Sequence, residues 1–210
     1  QAETAWSYTY GTPALVVAVL DSGVDYNHPD LAASMWHDPQ TNAVGYDVYN
    51  GDNDPMDDNG HGTHVAGIIA AALNNGEGVA GVAPGVKVMA VKASDALGLL
   101  YSTSIVSGIN WAVQHGAKVV NMSFGCTGYG PDYLEYDAIK AHPEILFVAA
   151  AGNEANNNDV ILDDPASFTV DWSVYGITAL PNIIAVSALA DPSSNPGNLA
   201  GFSNYGAGSV

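Results

Sequence analysis

Five short stretches of the chain carry apolar residues on both faces instead of at alternate positions only: residues 15–20, 86–91, 118–123, 145–150 and 183–188. Each closes on Gly, Ser, Asp or Asn. Short apolar runs bounded by turn formers are how strands covered on both faces of a parallel sheet read. Between them lie stretches with helical spacing. Residues 64–73 are small and apolar and end at Asn74-Asn75-Gly76. Residues 102–115 carry Ile105, Val106, Ile109, Trp111, Ala112 and Val113, with a Ser/Thr start and Gly116 as a stop. Residues 131–142 put Leu134, Ala138 and Ile139 on one side. Strands alternating with helices of this length predict an α/β domain with right-handed crossovers, whose functional groups gather at the carboxyl ends of the strands. Asp21, Ser123 and Asn153 fall just after predicted strands. Residues 36–59 fit neither pattern; they are dense in Asp, Asn, Gly and Pro and are expected to form a long functional loop.

Composition narrows the reading. The 210 residues suffice for one domain of medium size, and neither an internal repeat nor a linker divides them. A hydrophobic share of 48% argues against disorder. Four lysines, no arginine and 22 acidic residues give a formal charge of −18. Such a surface repels phosphate backbones and anionic lipid, so neither nucleic acid nor a membrane is an expected partner. It is compatible with secretion, salt tolerance or hard cations, without choosing among them. A single cysteine, Cys126, rules out an intrachain disulfide; the thiol is either structural or reactive. No apolar run reaches the roughly 18 residues of a membrane span. The start, Gln1-Ala2-Glu3, shows no signal-peptide pattern and reads as processed or trimmed.

Taken singly, the polar positions are ambiguous. Asp21, after a fully apolar strand, is either a helix cap or an oriented partner for a histidine. His61 and His64 in Gly60-His61-Gly62-Thr63-His64 lack the glutamate of the His-Glu-x-x-His zinc motif. Asn153, after Ala149-Ala150-Ala151-Gly152, either donates to a developing oxyanion or forms a turn.

Together they are specific. Asp21-Ser22-Gly23, then residues 61–70 (His-Gly-Thr-His-Val-Ala-Gly-Ile-Ile-Ala), then residues 120–125 (Val-Asn-Met-Ser-Phe-Gly), then Ala150-Ala151-Gly152-Asn153-Glu154 occur in this order at element ends. From about Thr4 to its last residue the chain resembles the subtilisin-like serine proteases, the subtilases. The resemblance implies a three-layer α/β domain with a mainly parallel sheet flanked by helices, and an endopeptidase working by Asp-His-Ser acyl transfer. Asp21 would orient His61, His61 would act as general base and then general acid, and Asn153 would donate to the oxyanion. Ser123, Phe124 and Gly125 would pair as an edge strand with an extended peptide or protein substrate, opposite a strand of Leu97, Gly98, Leu99 and Leu100. Residues 149–152, including Ala150 and Gly152, would wall the primary specificity pocket and Pro165-Ala166-Ser167 would floor it. Glu154 would stand at its rim, where a carboxylate could admit a basic side chain, and His64 would be structural. The loop 73–79 is similar to one that wraps a structural Ca²⁺, with ligands from the Asp30 carboxylate, the Asn75 side chain and the carbonyls of Leu73, Glu77 and Val79. Asp47, Asp52, Asp54, Asp57 and Asp58 either hold a second Ca²⁺ or form a solvated acidic loop.

The sequence also departs from the family. The Gly-Thr-Ser-Met-Ala motif that carries the nucleophile is not among these residues, and Ser203 and Ser209 lie in the wrong context. The expectation is an incomplete peptidase domain, residues 1–210, whose C-terminal part with the central helix and nucleophilic serine is missing. The N-terminal arm that often adds a calcium ligand is also absent or trimmed. One sheet face would be uncovered, and the 210 residues alone would be inactive. They would be a cleavage product associated with its C-terminal remainder, a partial record of a longer gene, or a non-catalytic calcium- or peptide-binding derivative. The family implies secretion.

Overall fold

β1 (Val16–Asp21) is buried at every one of its six positions, as an apolar run flanked on both faces should be. It is seen in a computed structural model that describes residues 2–191, 193 and 197–210. These form two compact units, residues 1–121 and 122–210.

In the first unit, β1 pairs in parallel with β3 (Lys87–Lys92) from Val16↔Lys87 to Asp21↔Lys92. On its other side it pairs in parallel with β4 (Val119–Met122), and β3 pairs with β2 (Gly45–Asp47). Two helices cover the two faces. α2 (His61–Ala70) lays Ala66 and Ala70 against Val17, Val19, Val88 and Ala90. α3 (Ser102–Gln114) packs on the residues between these, with Gly108 so close that a Cβ there would collide with Leu20. A five-residue helix, α1 (Ala2–Trp6), is pinned by the Trp6 indole N–H to the Val82 carbonyl at 2.8 Å.

In the second unit, β6 (Leu146–Ala150) and β8 (Ile183–Val186) pair in parallel, while β5 (Cys126–Thr127) and β7 (Asp163–Asp164) pair antiparallel. α4 (Tyr133–Lys140) starts at Asp132, whose carboxylate accepts from the N–H groups of Leu134 and Glu135. The architecture is α/β, a mainly parallel sheet with flanking helices, as the sequence predicts.

Several local expectations change. α2 begins at residue 61, three residues early, because Gly60 turns the chain at φ 100° and Asp57 accepts from the Gly60 and Thr63 N–H groups. The expected loop 36–59 contains β2. β8 is not covered on both sides: Ile184 and Val186 are 46% and 51% exposed, whereas Ile183 is buried. Residues 123–125 lie between β4 and β5 and belong to no strand. Leu97–Leu100 is a tight turn, because Asp95 Oδ1 accepts from both Leu97 and Leu99 N–H and only Leu100 bridges back, to Ser94.

Candidate active site

The last residue of β1 and the first of α2 meet in the first unit. Asp21 Oδ1 lies 2.7 Å from His61 Nδ1 and also accepts the Ser22 N–H at 2.7 Å. Asp21 is 3% exposed, while the histidine side chain is half exposed, so a buried carboxylate orients a ring that reaches solvent. A proton on Nδ1 engages the carboxylate and leaves Nε2 as a free acceptor. Glycine at 62 makes this approach possible, since a Cβ there would collide with the Gly23 carbonyl and crowd the Asp21 side chain. Among the described residues no hydroxyl bonds to His61 Nε2.

A second layer, invisible in the local sequence, holds these two elements together. The Ser22 hydroxyl donates to Asp57 Oδ1 at 2.9 Å and accepts from Gly62 N–H. Asp57 Oδ2 takes the Thr63 N–H and hydroxyl. Burial works to raise the Asp57 carboxyl, but the Thr63 hydroxyl and the N–H groups of Gly60, Asn59 and Thr63 outweigh it and hold it below the ordinary range. Lys92, in register with Asp21, is itself buried; its ammonium donates to the Ser22 carbonyl at 2.9 Å and pairs with Asp58 at 2.5 Å. The only sequence signal for Lys92 is a rare lysine ending an apolar strand.

In the second unit Asn153 follows β6. It is exposed, its side-chain amide makes no hydrogen bond to a described residue, and its N–H donates to Glu154 Oε2 at 2.8 Å. Glu154 Oε2 also accepts from Asn204 Nδ2, so the expected rim carboxylate is tied to the loop that presents Asn153. Ala150 is half-buried, Gly152 adopts φ 108°, and Ala166 and Ser167 are fully buried. Cys126 is exposed, and burial first, then Asp164, Asp163, Glu135 and Asp132, push its thiol up, which argues against a reactive thiolate.

The loop after α2 does close on Asp30. Asp30 Oδ1 accepts from Asn75 Nδ2 at 2.7 Å and Oδ2 from Val79 N–H at 2.8 Å, and these bonds hold the carboxyl below its ordinary range. The Asn75 side-chain oxygen in turn accepts the Glu77 N–H at 3.1 Å, so the loop is closed on Asp30 by hydrogen bonds through both ends of the Asn75 amide. His64 lines an apolar cavity of about 530 Å³ with Ile68, Val79 and Val82. The five acidic side chains of residues 47–58 do not converge. Asp47 holds Asn50, Asp52 caps Asp54, Asp54 takes the Tyr26 hydroxyl, Asp57 caps α2 and Asp58 pairs with Lys92. Among the described residues no three carboxylate, histidine or cysteine side chains are grouped to hold a metal, and no helix is long and apolar enough to cross a membrane.

The sequence profile of the subtilase (peptidase S8) family matches residues 12–209. A thermophilic serine proteinase from Bacillus sp. (strain AK1) is 38% identical over 202 residues, covering 96% of this chain and 44% of that protein. The minor extracellular protease Epr from Bacillus subtilis (strain 168) is 35% identical over 208 residues, covering 98% and 27%. The chain thus spans less than half the length of either relative. Among solved structures, the prenylagaramide maturation protease PagA superposes with a TM-score of 0.71 at 30% identity, over 98% of this chain and 63% of that one.

Proposed function

The chain belongs to the subtilase family, and we propose that it carries the aspartate, the histidine and the oxyanion amide of a secreted serine endopeptidase that cleaves extended peptide or protein substrates. The observation that carries this reading is the 2.7 Å contact between buried Asp21 and the half-exposed His61 ring. With Nδ1–H held by Asp21, Nε2 takes the proton of an attacking serine hydroxyl as its oxygen bonds to the scissile carbonyl carbon. The same nitrogen then returns the proton to the departing amine, and water repeats the cycle on the acyl-enzyme. The free amide of Asn153 donates to the carbonyl oxygen as it becomes negative. The serine lies outside residues 1–210; the greater length of the relatives and the bare His61 Nε2 support this. Exposed Leu146, Ile184 and Val186 on one face of β6 and β8 support packing of a C-terminal remainder there. Residues 123–125 and 97–100 would flank the substrate. Ca²⁺ at Asp30, Asn75 and the carbonyls of Leu73, Glu77 and Val79 would act structurally, neutralising Asp30 and fixing the loop. Secretion is supported by the name of one relative, an extracellular protease.

Peptide hydrolysis by the full-length gene product tests the reading. Asp21→Asn should lower kcat by about 10⁴, a magnitude known from other enzymes with this triad, while the protein stays folded. Unchanged turnover in that variant would reject it.

A further inference from the structure

The chain holds three Asn–Gly steps, Asn50-Gly51, Asn59-Gly60 and Asn75-Gly76, all in the first unit. In such a step the glycine nitrogen can attack the asparagine side-chain carbonyl carbon, because no Cβ on the glycine hinders the approach. All three asparagines are exposed, so access to water does not separate them. Hydrogen bonding does. The Gly51 N–H donates to the Asp47 carbonyl at 2.8 Å, and the Gly60 N–H donates to Asp57 Oδ1 at 2.8 Å. The Gly76 N–H makes no hydrogen bond to a described residue. The Asn75 side chain is also set for the attack. Its Oδ1 accepts the Glu77 N–H at 3.1 Å, which folds the side chain back along the Gly76 backbone and polarises the carbonyl. Its Nδ2 donates to Asp30 Oδ1 at 2.7 Å, the bond that closes the loop 73–79.

We propose that Asn75 is a site of spontaneous deamidation, and that the change releases the loop 73–79 from Asp30. The Gly76 nitrogen gives its proton to hydroxide and bonds to Asn75 Cγ. The Cγ–Nδ2 bond then breaks, and ammonia leaves after taking a proton from water. The cyclic imide adds water at either carbonyl and opens to aspartate or isoaspartate. The N–H that faced Asp30 is thereby replaced by an anionic oxygen, so two carboxylates repel where a hydrogen bond stood. Asp30 is buried, so it is the exposed loop that moves away. The reaction needs no nucleophilic serine and stands apart from the protease reading.

The test uses the full-length gene product carrying His61→Ala, so that self-digestion does not intrude, incubated at pH 8 and mapped by mass spectrometry. A hydrogen bond must break before the Gly51 or Gly60 nitrogen can attack. Asn75 should therefore convert about fivefold faster than Asn50, and about tenfold or more faster than Asn59, whose glycine is held by a charged carboxylate. In urea, where these bonds are gone, the three rates should converge. Asn75→Asp, made directly, should melt below its parent in EGTA, where no bound cation offsets the added charge. Asn74→Asp, the same change of charge one residue away, should melt with the parent. Conversion at Asn50 or Asn59 as fast as at Asn75 overturns the proposal, as does an Asn75 that stays intact in the folded chain while converting in urea. Asn75→Asp melting with its parent also overturns it, because the loop would then not depend on the Asn75 donor.

Discussion

Asp164 and Glu135 make the second unit lose stability as pH rises from acid to neutral, and Asp164→Asn isolates the Asp164 part of the effect. Asp164 is 3% exposed; its Oδ2 accepts the Asp132 N–H at 2.5 Å and its Oδ1 is buried without a partner. Burial, aided by the charges of Asp132 and Asp163 and opposed by the Asp132 N–H, lifts its carboxyl from 3.8 to about 7. Glu135, 3% exposed and also with an orphaned oxygen, is raised well above 4.5 by burial, then by Asp164 and Asp132. Below pH 4 both folded and unfolded chains hold the Asp164 proton, so the group costs nothing. Between pH 4 and 7 the unfolded chain gives up the proton and the folded chain keeps it, so stability falls as pH rises. Above pH 7 both are ionised and the loss is complete, roughly 4 kcal/mol for a shift of this size at 1.36 kcal/mol per unit. An asparagine oxygen can still accept the Asp132 N–H but cannot ionise. At pH 8 Asp164→Asn should therefore melt higher than the wild type, by on the order of 10 °C for a chain of this length, and at pH 4 the two should melt nearly together. Calorimetry from pH 4 to 9 measures the difference. A difference that does not change with pH, or a variant that is less stable at pH 8, would refute the linkage.

Three further outcomes follow from the site. Asn153→Ala should cost about 10²–10³ in kcat with KM little changed, the magnitude established for this donor in subtilisin, because the amide acts only on the developing oxyanion. Chelation with EGTA should lower the melting temperature of the wild type and leave that of Asp30→Ala unaffected, measured by circular dichroism; equal responses would remove Asp30 from the metal site. Asp57→Ala should destabilise by about 0.5–2 kcal/mol in denaturant titration, since it strips the cap from α2 and loosens the element that carries His61.

How much of this was legible in the sequence depends on the range of the physics involved. β1 was readable because its unbroken apolar run is buried at all six positions, and α2 and α3 because burial recurs at helical spacing, at Ala66 and Ala70 and at Ile105 and Ile109. Asp21 and His61 were readable as a pair only because motif order stands in for a contact across 40 residues. Lys92 and Asp57 were not readable as supports of the Asp21–His61 pair: each reaches Ser22 from far along the chain, Lys92 across 70 residues and Asp57 across 35, and such bonds leave no periodic trace. The turn at 97–100 was misread as a strand because Asp95, not the leucines, sets its backbone. β8 was misread as doubly covered because apolar sequence records what a strand can bury, whereas exposure of Ile184 and Val186 depends on what packs against it.

Labelling with a fluorophosphonate probe tests the central claim most directly, because only a serine activated by an oriented histidine reacts with it. Applied to the full-length gene product and mapped by mass spectrometry, it should modify one serine outside residues 1–210, and His61→Ala should abolish the modification. Labelling that survives His61→Ala, or no labelling of a folded full-length protein, would contradict the account.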